Sequence, residues 1–124
     1  MTSFTLGAAI PQLPSGDISV TEKFFVEKLG FEIKAKHPDH KFLSVKRNNA
    51  EIHFWQAPTE KEAKELGRES SCYIRVENIQ PFFEELKKHN APFRYELTRQ
   101  AWGMNEIQID DPYGNAIRFG EAVK

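Results

Sequence analysis

The residues best suited to chemistry in this 124-residue chain lie near its C-terminal end, in residues 101–119, AWGMNEIQIDDPYGNAIRF. Glu106 and Gln108 alternate with Ile107 and Ile109, and Arg118 alternates with Ile117 and Phe119. Strict alternation gives a strand one apolar and one polar face, as in a sheet half covered by helices. Trp102 and Met104 are in phase with Glu106 and Gln108, so they join the polar face. A face carrying Trp, Glu, Gln and Arg together is not plain core; it reads as the lining of a groove. An indole offers a flat stacking surface, while carboxylate, amide and guanidinium groups offer hydrogen bonds. The chemistry this predicts is recognition of a flat polar molecule.

The same parity extends the groove to other strands. If Ile52 and Phe54 pack under helices, then Glu51, His53 and Trp55 face the other way. Leu43 and Val45 as core put Phe42 and Ser44 on the groove side, and Cys72, Ile74 and Val76 as core put Tyr73 and Arg75 there. The candidate ligand-binding set is therefore Phe42, His53, Trp55, Tyr73, Trp102, Glu106, Gln108 and Arg118. Two of these have competing roles. Trp55 could cover a subunit interface, and Arg118 could pair across the sheet with Glu106 or Glu51. His37-Pro38-Asp39-His40 suggests a metal site, but Pro38 prevents the helix that would set both imidazoles on one face. Cys72 is the single cysteine, which excludes a disulfide framework and a thiolate metal cluster, and its phase is that of the core. No catalytic residue, metal ligand set or cofactor is assigned.

These side chains need a scaffold of alternating strands and helices. A first strand is expected over residues 8–13, ended by Pro14-Ser15-Gly16. Ser19 with Glu22 has the spacing of a capping box, ahead of Val20, Phe24, Phe25 and Leu29 at helical spacing, and Gly30 is a helix stop. Strands follow over 31–36, 42–46 and 51–56, with a loop at 37–41 and a turn at Arg47-Asn48-Asn49. Residues 59–66 form a short charged helix or a linker. The plan then repeats: a strand over 72–76, a helix capped by Asn78 and broken at His89-Asn90, and a strand over 93–97. The hairpin of 102–119 closes it, turning at Asp110-Asp111-Pro112-Tyr113-Gly114-Asn115. The order strand-helix-strand-strand-strand occurs twice. The expectation is an α+β single domain, residues 1–124, made of two βαβββ modules (about 8–56 and 71–120) linked by 57–70.

Formal net charge is −1, so no broad basic surface invites nucleic acid. No apolar run approaches the roughly 20 residues of a membrane span, and the N-terminal stretch lacks the regions of a signal peptide. A cytoplasmic protein is expected. Ten Phe, three Tyr and two Trp are generous for this length and leave aromatics to spare for a ligand.

Pro11-Gln12-Leu13-Pro14-Ser15-Gly16-Asp17, the Phe-Phe-X-Glu-Lys-Leu-Gly-Phe run at 24–31, Trp102-Gly103 and Asp111-Pro112-Tyr113-Gly114-Asn115 together resemble the bleomycin resistance proteins. These belong to the vicinal-oxygen-chelate superfamily, with glyoxalase I, fosfomycin resistance proteins and extradiol dioxygenases. The resemblance spans about residues 8–119 and implies paired βαβββ modules forming a concave half-barrel sheet. It also implies a homodimer, often with exchange of the N-terminal strand. Metal-dependent members carry His or Glu at a groove-facing position in each of four strands. Those positions align with Ile10, about His53, Ser71 and Arg118, of which only His53 can bind a metal. A catalytic divalent ion takes about three protein ligands, so the alternative of a metal-dependent lyase or dioxygenase fits poorly. The resemblance implies instead that the groove sequesters a bleomycin-like planar drug without reaction, stacked between Trp102 of one subunit and Phe42 of the other.

Overall fold

The chain's structure, a computed structural model, describes residues 2–124. The first module comprises β1 (Gln12–Ser15), α1 (Ile18–Leu29), β2 (Glu32–His37), β3 (Phe42–Arg47) and β4 (Ala50–Gln56). After α2 (Glu60–Gly67) the second module repeats the order as β5 (Ser71–Arg75), α3 (Ile79–Lys88), β6 (Phe93–Arg99), β7 (Met104–Asp110) and β8 (Ala116–Ala122). Each module makes one four-stranded sheet, ordered β1-β4-β3-β2 in the first and β5-β8-β7-β6 in the second. In both, the first strand lies parallel to the last and the other pairs are antiparallel. This is the duplicated βαβββ fold expected from the order of elements.

One hydrophobic cluster joins the modules. Phe25, Leu29, Leu43, Val45, Ile52 and Phe54 from the first pack with Leu86, Ile107, Ile109, Ile117 and Phe119 from the second. The strand residues in it are the alternate ones, so the helices cover one face of each sheet and leave the other open. Arg47 ties the modules further. Its Nη1 and Nη2 donate to Glu85 on α3 at 2.6 and 2.9 Å, and Nη1 also donates to the Leu29 carbonyl at 2.8 Å.

Several local expectations are corrected. β1 starts at Gln12, not residue 8, and runs through Pro14 and Ser15, because strand pairing exists only where β4 lies alongside, from Gln12 opposite His53 to Ser15 opposite Gln56. Pro14 is tolerated because β1 is an edge strand with one neighbour. Ile10 is therefore in no strand. The cap of α1 is Asp17, whose Oδ1 accepts from Ser19 N at 2.9 Å, while Glu22 pairs with Lys36 at 2.6 Å and does not close a capping box. Asn78 stands at the start of α3 with φ of 63°, yet its side chain makes no capping bond. Glu121, far along the chain on β8, accepts from the Asn78 and Ile79 amides at 2.6 and 3.1 Å instead. Residues 60–67 are helix, capped by the Thr59 hydroxyl.

The turn between β7 and β8 is where the modules' loops converge. Asp111 Oδ1 accepts from the Tyr113 and Asn115 amides at 2.9 and 3.0 Å, and Asn115 Nδ2 donates to Asp111 Oδ2 and to the Pro14 carbonyl at 2.7 and 2.8 Å. Burial pushes the Asp111 carboxyl up to about 6, against the pull of these hydrogen bonds. A folded value above the unfolded one, about 3.9, means the folded state favours the proton, so this group's contribution to stability is complete below about pH 4 and lost as pH rises through about 6. Asp111→Asn is expected to flatten that loss, which amounts to about 3 kcal/mol at most. Urea denaturation of both proteins at roughly pH 4 and pH 6.5 checks it; an unchanged difference between the two pH values counts against it.

Candidate functional site

Two rows of side chains cross the open face of the second sheet. Tyr73 on β5 is opposite Arg118 on β8, Arg118 is opposite Gln108 on β7, and Gln108 is opposite Tyr95 on β6. In the next row Arg75 is opposite Gly120, Gly120 opposite Glu106, and Glu106 opposite Thr98. Tyr73, Tyr95, Gln100, Trp102, Glu106, Gln108 and Arg118 line a cleft of about 570 Å³ over these rows. It contains five of the eight residues read from sequence, and it lies wholly within the second module.

Glu106 is its hub. Although only 3% exposed, its carboxylate accepts from the Tyr73 hydroxyl at 2.7 Å, the Trp102 indole Nε1 at 3.1 Å and the Tyr95 hydroxyl at 3.3 Å. Burial works to raise its pKa, but the bonds from Trp102, Tyr73 and Tyr95 together outweigh it and hold the group ionised below the usual range. The Tyr73 hydroxyl goes the other way, pushed up to about 12 by burial and by donating to Glu106. Gly120 makes the bridge between them possible. A Cβ there would lie 1.8 Å from the Tyr73 hydroxyl oxygen, so the bare backbone lets Tyr73 reach across β8 to β7. Trp102, 66% exposed, is thereby tethered at its ring nitrogen while its ring faces stay open to solvent.

Arg118 does not pair with Glu51, which lies on the other sheet, and no ion pair joins it to Glu106. Its Nε donates to Gln108 Oε1 at 3.0 Å, and Gln108 Nε2 donates in turn to Asp110 Oδ1 at 2.9 Å. Asp110 is held from its other oxygen by Arg94 Nε at 2.9 Å. The guanidinium is thus oriented by an amide rather than neutralised by a direct contact.

Phe42, His53 and Trp55 sit on the first sheet. Phe42 is opposite Trp55, Ser44 is opposite His53, and the Phe42 and His53 rings meet edge to face at 5.0 Å. Glu51 gathers this cluster: it accepts from Lys34 Nζ at 2.7 Å, His53 Nε2 at 2.7 Å and the Ser44 hydroxyl at 3.3 Å. The Lys34 bond, then that of His53, draws its pKa down to about 2. The Ser44 hydroxyl reaches the carboxylate and not the imidazole. Among the described residues, no three His, Cys, Asp or Glu side chains converge as metal ligands. Cys72 is buried and its thiol is raised to about 12 by that burial.

Tyr95 and Gln100 escape the sequence reading. Tyr95 is in phase with Phe93 and Leu97, both of which pack against the core, but the β6–β7 register shifts between residues 93 and 95 and turns Tyr95 to the open face. A bulge of this kind reverses sidedness and leaves no mark in the alternation. A larger cleft, about 700 Å³, lies between the β3–β4 turn and the ends of β5 and β8. It holds none of the eight candidate residues; its Arg47 is spent on Glu85 and its Glu121 on the start of α3.

The model of the "Glyoxalase/Bleomycin resistance protein/Dioxygenase superfamily" matches residues 7–119. The bleomycin resistance proteins of Geobacillus stearothermophilus and Staphylococcus aureus are each 31% identical to this chain, covering 94% of it and 97% of their own length. The crystal structure of a bleomycin resistance determinant encoded on the transposon Tn5 superposes with a TM-score of 0.78 at 23% identity, covering 94% of this chain and 98% of that one. That of the bleomycin-binding protein of Streptomyces verticillus in complex with copper(II)-bleomycin gives 0.75, also at 23% identity, with both chains covered in full.

Proposed function

Because this chain belongs to the glyoxalase/bleomycin resistance protein/dioxygenase superfamily, we propose that it confers resistance to a bleomycin-type antibiotic by binding and sequestering a planar molecule, without catalysis. The observation that carries this reading is the tethered and exposed Trp102. Its indole nitrogen is fixed to a buried carboxylate and its ring is open, so a stacking plate is held ready in one orientation. Pre-set plates bind flat ligands at lower entropic cost, and each aromatic pair adds about 0.5–1.5 kcal/mol beyond burial. The 31% identity to bleomycin resistance proteins over nearly the whole chain supports the class of ligand.

The reading requires two copies of the chain. Trp102 stands in the β6–β7 turn above the second sheet, Phe42 and His53 are on the first, and the Trp102 cleft is lined by the second module alone. In a two-fold dimer the first sheet of one copy closes over the second sheet of the other, and Phe42 faces Trp102 across the groove. The exposed Phe4 and Leu6, at 87% and 84%, then find apolar cover on the partner. His53, Tyr73, Glu106, Gln108 and Arg118 supply polar contacts, and Trp55 the rim. Protection is stoichiometric and acts in the cytoplasm: bound drug cannot reach DNA, and its extent follows affinity and protein concentration. No helix among the described residues is long and apolar enough to cross a membrane.

Titration of the purified protein with bleomycin, with and without copper, tests the assignment through tryptophan fluorescence. Saturable quenching in the parent protein that is absent in Trp102→Ala is the expected result. A flat titration of the parent protein overturns the assignment.

A further inference from the structure

The hydrogen bonds already made within the Trp102 cleft restrict what can enter it, an argument that rests on the binding role proposed above. Both carboxylate oxygens of Glu106 already accept, from Tyr73, Trp102 and Tyr95. Gln108 is spent at both ends, accepting from Arg118 and donating to Asp110. Among the described residues, what the cleft still offers is the side-chain amide of Gln100 and the terminal nitrogens of Arg118, whose Nε is bonded to Gln108 and whose guanidinium also meets the Tyr95 hydroxyl. The Arg94–Asp110–Gln108 relay fixes the plane of this guanidinium, and a fixed fork with unspent N–H groups suits a carboxylate or another paired acceptor. Arg75, one row on, adds a second positive charge beside Tyr73. The Glu106 charge opposes it, but that carboxylate lies beneath three donors rather than on the surface of the cleft.

We propose that this cleft selects flat aromatic ligands bearing an anionic or acceptor edge, aromatic carboxylates being the simplest class, with Arg118 as the specificity residue that takes the edge while Trp102 covers the ring. A planar cation gains the same stacking but faces the positive charge of Arg118.

The test is calorimetric titration with three probes of one shape: naphthalene-2-carboxylate, naphthalene-2-carboxamide and 2-naphthylmethylammonium. The carboxylate is expected to bind about tenfold or more tighter than the ammonium, with the carboxamide between, as a charge-assisted hydrogen bond implies. Arg118→Gln should weaken the carboxylate by about tenfold and leave the ammonium within about twofold, and Arg118→Lys should restore part of the preference through charge alone. Equal binding of the three probes by the parent protein, tighter binding of the ammonium, or binding of none of them overturns the proposal. So does a loss in Arg118→Gln that is the same for all three, since that marks a packing role. The ranking in the parent protein is decisive even if a variant folds poorly. Bleomycin binding without a carboxylate preference overturns this proposal alone, whereas a carboxylate preference without bleomycin binding overturns only the antibiotic assignment.

Discussion

Replacing Gly67 with alanine is expected to destabilise the fold by about 2–4 kcal/mol, lowering the melting temperature by roughly 10 °C. Gly67 closes α2 where that helix meets the turn between β7 and β8. A Cβ there would lie 1.9 Å from the Tyr113 carbonyl oxygen and 2.9 Å from its carbon, so it meets backbone rather than a mobile side-chain end. The turn cannot move aside. Asp111 holds the amides of Tyr113 and Asn115, and Asn115 holds the Pro14 carbonyl of β1. The Tyr113 ring is hemmed in as well, because a Cβ on Gly16 would lie 2.4 Å from it. Gly7→Ala is the control, since nothing in its own chain lies within 4 Å of the added carbon; it should stay within about 0.5 kcal/mol of the parent. Urea titration of the three proteins decides, and a Gly67→Ala protein as stable as Gly7→Ala sinks the argument.

The second large effect concerns binding. Phe42→Ala and Trp102→Ala are each expected to abolish measurable bleomycin quenching, because each would strip one plate from both composite grooves of the proposed two-fold dimer. Mixing the two inactive proteins under conditions of subunit exchange should bring binding back. In a mixed dimer one groove loses both plates and the other keeps both. Random exchange makes half the dimers mixed, so about a quarter of the sites return, with the affinity of the parent protein. A groove built within a single chain cannot be rescued in this way. Failure to recover any sites after demonstrated exchange would therefore refute the shared groove and leave each chain with its own cleft. Because Phe42 is on the first sheet and Trp102 in the β6–β7 turn of the second module, the two outcomes are cleanly separated.

How much of this was legible in the chain follows from which interactions are local. The sidedness of β4, β7 and β8 reads directly from Ile52, Phe54, Ile107, Ile109, Ile117 and Phe119, all at most 1% exposed, because burying one face enforces period-two alternation. The duplicated order of elements reads as well, since helix stops such as Gly30, at φ of 71°, and turn residues act on their own few neighbours. Strand phase does not extend to Trp102, which stands in the turn before β7 and reaches Glu106 through its indole nitrogen at 3.1 Å. Where the reading failed, something distant had taken over a local role. Ser19 and Glu22 have capping-box spacing, but Asp17 caps the helix and Lys36, on another strand, claims Glu22. Asn78 looks like a cap, yet Glu121 supplies the acceptor.

The amino-acid sequence by itself determined the order of elements and the core, because hydrophobic periodicity and turn chemistry act over a few residues and are written in order along the chain; the resemblance to the family rests on the motifs at 11–17, 24–31, 102–103 and 111–115. The tertiary structure alone decided the site's wiring. A register shift of β6 brings Tyr95 to the open face, the missing side chain of Gly120 lets Tyr73 cross to Glu106, and Arg118 turns to Gln108 rather than to a carboxylate. Each depends on which residues strand pairing sets opposite one another, and that pairing is fixed by the packing of the whole sheet rather than by any segment within it.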